Sequence, residues 1–105
     1  MNLVRGAVID IEFPDIGRRP AVVVTRNTLI PLLSSVTVAR VTSTVRGLRT
    51  EVGLGPAHGL DHDSVVNCTD VFTVPKAAVA RARGSLGPVE LRRLDQALRI
   101  ALELD

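Results

Sequence analysis

Arg18-Arg19-Pro20-Ala21-Val22-Val23-Val24-Thr25 is the segment on which the fold turns. An unbroken β-branched run of this kind predicts a central strand buried on both faces. Pro20 has no N–H to give to a ladder, so it is expected to stand at the strand's start. It also fixes its own φ and biases Arg19 toward an extended backbone. Arg19 therefore marks the passage from a turn, Pro14-Asp15-Ile16-Gly17, into a rigid strand. A guanidinium mounted there is well placed to hold a phosphate. The plainer reading of Arg18 and Arg19 is a solvated pair at a strand end.

Working outward, Ala7, Ile9, Ile11 and Phe13 alternate with Val8, Asp10 and Glu12, which predicts a half-buried strand. Asn27 to Leu33 is broken by Pro31 and reads as a loop with one helical turn. Ser35 to Thr42 alternates again, with Val36, Val38 and Arg40 on one face. Ser43 to Arg49 reads as a hairpin loop leading to a returning strand, Thr50 to Leu54. Residues 55–63 form a long turn-rich loop. Ser64–Cys68 and Val71–Val74 read as two short strands around a Thr69-Asp70 bend, and Pro75 to Val79 as a helical turn. Gly87-Pro88 opens a helix, with Pro at the first position and Glu90 in the first turn. Leu91, Leu94, Leu98, Ala101 and Leu102 form its apolar stripe. The expected architecture is mainly β with a C-terminal α-helix: a small, partly open barrel in one domain spanning 1–105.

The make-up of the chain narrows the function. Phe13 and Phe72 are its only aromatics, so a surface built on stacked Tyr or Trp is excluded. Cys68 stands alone, which excludes an internal disulfide and a multi-Cys zinc site; in its apolar strand it reads as a buried, inert thiol. The net charge is +2, with twelve Arg against the single Lys76. That balance permits a nucleic-acid partner without requiring one. No apolar stretch has the length of a signal segment or a membrane span, so the expectation is a soluble cytoplasmic protein with no membrane partner.

No phosphate loop, dinucleotide fingerprint, HExxH or nucleophile elbow occurs. His58, Asp61, His62 and Asp63 could in principle hold a metal, but a Gly-rich loop offers no rigid frame, and solvated loop residues are the expected reading. His62 could act as acid or base if a substrate came near. Thr42-Ser43-Thr44 ends the strand from Ser35, where hydroxyls could donate to a phosphate oxygen. Arg40, Arg46 and Arg49 surround it, with no acid between residues 40 and 50. Glu12 and Asp15 flank the first turn, either solvated or facing Arg18 or Arg19.

The order of these pieces resembles the MazF/PemK family of bacterial toxins. The resemblance rests on Arg5-Gly6, Arg19-Pro20-Ala21-Val22-Val23-Val24, Val41-Thr42-Ser43, Asp63-Ser64-Val65-Val66-Asn67, Val71-Phe72-Thr73-Val74, and Leu94-Asp95-Gln96-Ala97-Leu98 with Leu102. It implies an SH3-like barrel of the MazF/PemK/CcdB type that works as a homodimer. The implied activity is sequence-specific, metal- and cofactor-independent cleavage of single-stranded RNA, blocked by a cognate MazE-like antitoxin. Arg19 and Thr42 match the catalytic positions, Arg19 as charge stabiliser and candidate acid. Arg18, Ser43, Thr44, Arg46 and Arg49 are the expected RNA contacts. The family's longer first loop carries an acid; here Asp15 or Glu12 would have to substitute. The family's first-strand Trp is absent, replaced by Val8-Ile9-Asp10-Ile11.

Two other readings compete. A gyrase poison of the CcdB kind would act through C-terminal aromatic and small residues, and the ending Ala101-Leu102-Glu103-Leu104-Asp105 speaks against it. A non-catalytic binding module, or degenerate toxin, would keep the barrel without the chemistry.

Overall fold

The computed structural model describes residues 2–104. Six strands and one helix build it: β1 (Ala7–Phe13), β2 (Gly17–Val23), β3 (Ser35–Thr42), β4 (Glu51–Leu54), β5 (Ser64–Pro75), β6 (Val79–Ser85) and α1 (Pro88–Leu102). One-turn 3-10 helices occupy Ile30–Leu32, Pro56–His58 and Lys76–Ala78. The strands form one antiparallel sheet in the order β4-β5-β3-β2-β1-β6. It curls into a half-barrel with β4 and β6 at its open edges, which is the expected mainly β architecture with its C-terminal helix.

Both faces of the central strands are covered. Ala7, Ile9, Ile11, Ala21, Val23, Val36, Val38 and Val74 pack into one cluster. Val8, Val22, Ala39, Val41 and Val66 pack on the other face with Leu94 and Ala97 of α1. The non-alternating run in β2 is thereby accounted for: Ala21, Val22 and Val23 are all buried. Truncating Leu94, which is fully buried, to Ala would cost about 2–5 kcal/mol in lost contacts and cavity. The helix starts as its sequence signals require. Pro88 takes the first position, and the Gly87 N–H donates to Glu90 Oε1 at 2.9 Å. That bond is the main reason the Glu90 carboxyl titrates below its ordinary range, with His58 adding to it and desolvation opposing. Arg5 ties α1 to the sheet by donating to the Val24 carbonyl and to Asp95.

Several expectations need correction. Pro20 sits within β2, not at its start; the ladder to β3 covers only Ala21–Val23, so one edge of the strand is unpaired at Pro20 and a missing N–H forfeits nothing there. β1 is not half-buried, because Val8 and Asp10 on the supposed outer face are buried too. β4 does not return beside β3. It pairs with β5, so residues 43–50 cross over instead of closing a hairpin. The two short strands are one, β5; its register against β3 slips between Ala39↔Val71 and Arg40↔Asn67, absorbing Cys68, Thr69 and Asp70 as a bulge. β6 is a strand not expected from the sequence, because the apolar members of its Ala80-Arg81-Ala82-Arg83 alternation are alanines, a weak strand signal. On α1, Ala97 is buried and Leu102 is exposed.

Candidate functional site

β2 and β3 bring the two expected catalytic positions together. Their ladder pairs Ala21 with Arg40. Continued by two residues past its end, the same register sets Arg19 opposite Thr42 on one face. Both line a cleft of about 290 Å³ with Pro20, Arg40, Ser43, Asp61, His62 and Arg83.

Each of the two side chains is tethered and keeps free donors. Arg19 Nη1 donates to the Arg18 carbonyl at 2.8 Å, which leaves most of its guanidinium fork open. Thr42 Oγ1 accepts the Thr44 N–H at 3.1 Å. That bond orients the hydroxyl and leaves its proton available to a phosphate oxygen. Ser43 lies in the same cleft. Thr44 and Arg46 line an adjoining hollow of about 280 Å³ that shares Arg40 and Thr42 with it. The loop between β3 and β4 is held in shape by Glu51, whose carboxylate accepts N–H bonds from Arg46, Gly47 and Leu48.

Other expected site residues lie elsewhere. Arg18 Nε donates to Glu12 Oε2 at 3.0 Å across the β1–β2 ladder, and neither side chain lines the cleft. Asp15 is exposed in the turn before β2, and Arg49 is exposed in the crossover loop. A third hollow, of about 190 Å³, shares Arg19, Pro20 and Arg40 with the cleft. Phe13 and Phe72 wall it, with ring centroids 5.8 Å apart. The chain's two aromatics therefore sit at the rim of the site.

The 55–63 loop and β6 also contribute to the lining of the cleft. The loop splits the His/Asp cluster. His58 turns away to Glu90, 3.5 Å from its Nε2, and its Nδ1 accepts the Gly55 N–H. Asp61 and His62 reach the cleft. Among the described residues, no group of three or more His, Cys, Asp or Glu is arranged to hold a metal ion. The loop docks on β6 backbone to backbone. A Cβ on Gly59 would lie 2.1 Å from the Arg83 carbonyl oxygen, and one on Gly84 2.5 Å from that of His58. Gly59 also holds φ +85°, open to glycine at no strain.

Sequence reasoning missed Asp10 and Arg83. Asp10 is buried on β1 and accepts from Arg81 Nε at 2.7 Å and Arg83 Nε at 2.8 Å. Burial opposes its charge, but the two guanidinium hydrogen bonds and their charges prevail and hold the carboxyl below its ordinary value of 3.8. The signal in the sequence was Asp10, an acid flanked on both sides by isoleucines within β1. Cys68 lies in the β5 bulge, its thiol pushed up to about 11 by burial, an effect the Arg5 charge only partly offsets. Such a thiol carries no nucleophile at neutral pH.

The cleft thus gathers three Arg side chains, one Asp and a tethered hydroxyl, a set able to hold an anion. Comparison with known proteins points the same way. The family model described as PemK-like, MazF-like toxin of type II toxin–antitoxin systems matches residues 4–102. Endoribonuclease MazF3 of Mycobacterium tuberculosis is 40% identical over 87 residues, 83% of this chain and 84% of that protein. Probable endoribonuclease MazF5 of the same organism is 38% identical over 100 residues, 94% and 92% of the two chains. The solved toxin MazF-mt6 of M. tuberculosis superposes with a TM-score of 0.87 at 35% identity, covering 94% of this chain and 98% of that one. A mycobacterial endoribonuclease solved in complex with its cognate antitoxin gives 0.88 at 27% identity, covering 99% and 98%.

Proposed function

Since the chain belongs to the PemK-like, MazF-like toxins of type II toxin–antitoxin systems, we propose that it cuts single-stranded RNA at specific sequences, without a metal, at the Arg19–Thr42 cleft. The observation that carries this reading is the convergence of Arg19 and Thr42 on one cleft.

The chemistry follows from what the cleft supplies. The ribose 2′-hydroxyl loses its proton and attacks phosphorus. The bond from phosphorus to the 5′-oxygen breaks, and that oxygen takes up a proton. The products are a 2′,3′-cyclic phosphate and a 5′-hydroxyl end. Arg19 stabilises the charge that builds on the phosphoryl oxygens by charge-assisted hydrogen bonds. A free guanidinium titrates above about 12, so charge stabilisation suits it better than proton transfer. Thr42 donates to a phosphoryl oxygen and fixes its position. Ser43, Thr44 and Arg46 carry the RNA into the adjoining hollow, while Arg18 and Arg49 serve only its outer path. The need for a 2′-hydroxyl makes RNA, not DNA, the substrate.

The chain acts as a homodimer, and its second partner is an antitoxin laid over the RNA cleft. The exposed Leu29, Leu32 and Leu33, around the first 3-10 turn, offer apolar surface for a protein partner. No helix among the described residues is long and apolar enough to cross a membrane, and we place the protein in the cytoplasm.

The test is incubation of purified protein with mixed-sequence RNA in EDTA, with the cut ends mapped. Cyclic-phosphate ends at a recurring sequence are expected. Intact RNA across many sequences would overturn the reading.

A further inference from the structure

We propose that Arg83 is a phosphate-binding residue of the RNA cleft and that buried Asp10, which does not itself touch RNA, is the positioning residue that aims it. The proposal rests on the endoribonuclease reading above and adds Arg83 to the guanidinium groups of Arg19 and Arg40 that line the cleft.

The geometry supports a built site. Asp10 lies mid-strand in β1, with Pro20 of β2 as its cross-strand neighbour on one side and Arg81 of β6 on the other. It is thus adjacent to the strand that carries Arg19. Its side chain is 3% exposed, and its two oxygens are divided between two guanidinium groups. One arginine would suffice to neutralise the carboxylate; two leave a surplus positive charge. Arg81 is 57% exposed and screened by solvent, whereas Arg83 is 16% exposed. Arg83 is also clamped from the loop, where Nη1 donates to the Gly59 carbonyl at 3.2 Å.

These bonds use Nε and one N–H of Nη1. Among the described residues Nη2 has no hydrogen-bond partner, and Arg83 lines the cleft with Arg19 and Thr42. A largely desolvated guanidinium with spare donors beside an open, Arg-lined cleft is suited to a phosphate. Asp61 Oδ1 stands 3.7 Å from Nη1, but that carboxylate is 82% exposed and holds Arg83 weakly. If Asp10 were only a structural staple for β6, Arg81 alone would serve, and Arg83 would have no reason to face the cleft.

The test uses the full chain and the oligonucleotide that the wild type cleaves, made with 2′-O-methyl riboses so that it binds uncut. Affinity is measured over a potassium chloride series. Arg83→Met leaves Asp10 paired with Arg81; Arg83→Gln, which retains a donor for Asp10, serves if the first fails to fold. Loss of one phosphate contact should raise Kd about tenfold and reduce the salt slope by about 0.7. Single-turnover cleavage at saturating RNA should fall less than Kd rises. Asp10→Asn should weaken binding in the wild-type background and add nothing in the Arg83→Met background. A folded Arg83 variant with wild-type Kd and slope would overturn the proposal while leaving the endoribonuclease reading intact. So would an Asp10→Asn effect of equal size in both backgrounds. A wild type that neither cleaves nor binds RNA would overturn both readings together.

Discussion

Three guanidinium groups line one cleft, and two of them, Arg19 and Arg83, are fixed by opposite means. Arg19 stands on an exposed strand end and is aimed by local backbone: Pro20 beside it, one bond to the Arg18 carbonyl, and the rigid apolar run that follows. Arg83 stands on an edge strand and is aimed from a distance, by a buried carboxylate 73 residues away in sequence and a loop carbonyl 24 away. The first is held by chain stiffness, the second by a network whose members support one another. A site built this way can lose its first arm without unfolding, but the second arm fails together with part of the fold.

Arg19→Ala should separate the two arms most sharply. Cleavage should fall by roughly 10²–10³ for the loss of one transition-state donor, with melting temperature unchanged. A stopped-assay rate measurement beside a thermal melt checks both halves. Asp10→Asn comes next and should act mainly on stability. Removing the shared negative charge and one of its two acceptor oxygens leaves the two guanidinium groups unneutralised, at a cost of roughly 3 kcal/mol by denaturant unfolding. Its pH dependence has a fixed sign. The folded carboxyl titrates below its unfolded value, so its stabilisation is present above about pH 4 and is lost as pH falls through the lower, folded value. The gap between wild type and Asp10→Asn should therefore narrow in acid; a constant gap would contradict the network.

Gly84→Ala probes the same wall through its backbone. A methyl 2.5 Å from the His58 carbonyl must push the 55–63 loop off β6. A loss of about 1–3 kcal/mol is expected, with weaker RNA binding as Asp61 and His62 leave the cleft. Arg18→Ala should do least. Its pair with Glu12 is exposed on both sides, so stability should change by under about 1 kcal/mol and cleavage by only a few-fold. A large effect there would move the RNA path away from Arg19.

The contrast between the two arms is also the limit of what the sequence disclosed. Arg19-Pro20 ahead of a β-branched run, and Gly87-Pro88 ahead of an apolar stripe, are local signals, and the structure follows them with small adjustments. The Arg19–Thr42 cleft could be anticipated because Arg19-Pro20 precedes the β-branched run of β2 and Thr42 ends β3. What stayed hidden was pairing between distant segments. A turn-like stretch after β3 gave no hint that β4 would cross over to β5. The Asp10–Arg81–Arg83 network needs β1 beside β6, and the alternating pattern of β1 pointed Asp10 outward. Likewise, His62 near the cleft depends on Gly59 and Gly84 meeting, which two isolated glycines do not announce.

The most direct test of the shared cleft is a crystal structure with the 2′-O-methyl form of the cleaved oligonucleotide. The scissile phosphate should lie within hydrogen-bond distance of the Arg19 guanidinium and Thr42 Oγ1, between β2 and β3. A phosphate seated on another face, with those two side chains untouched, would contradict it.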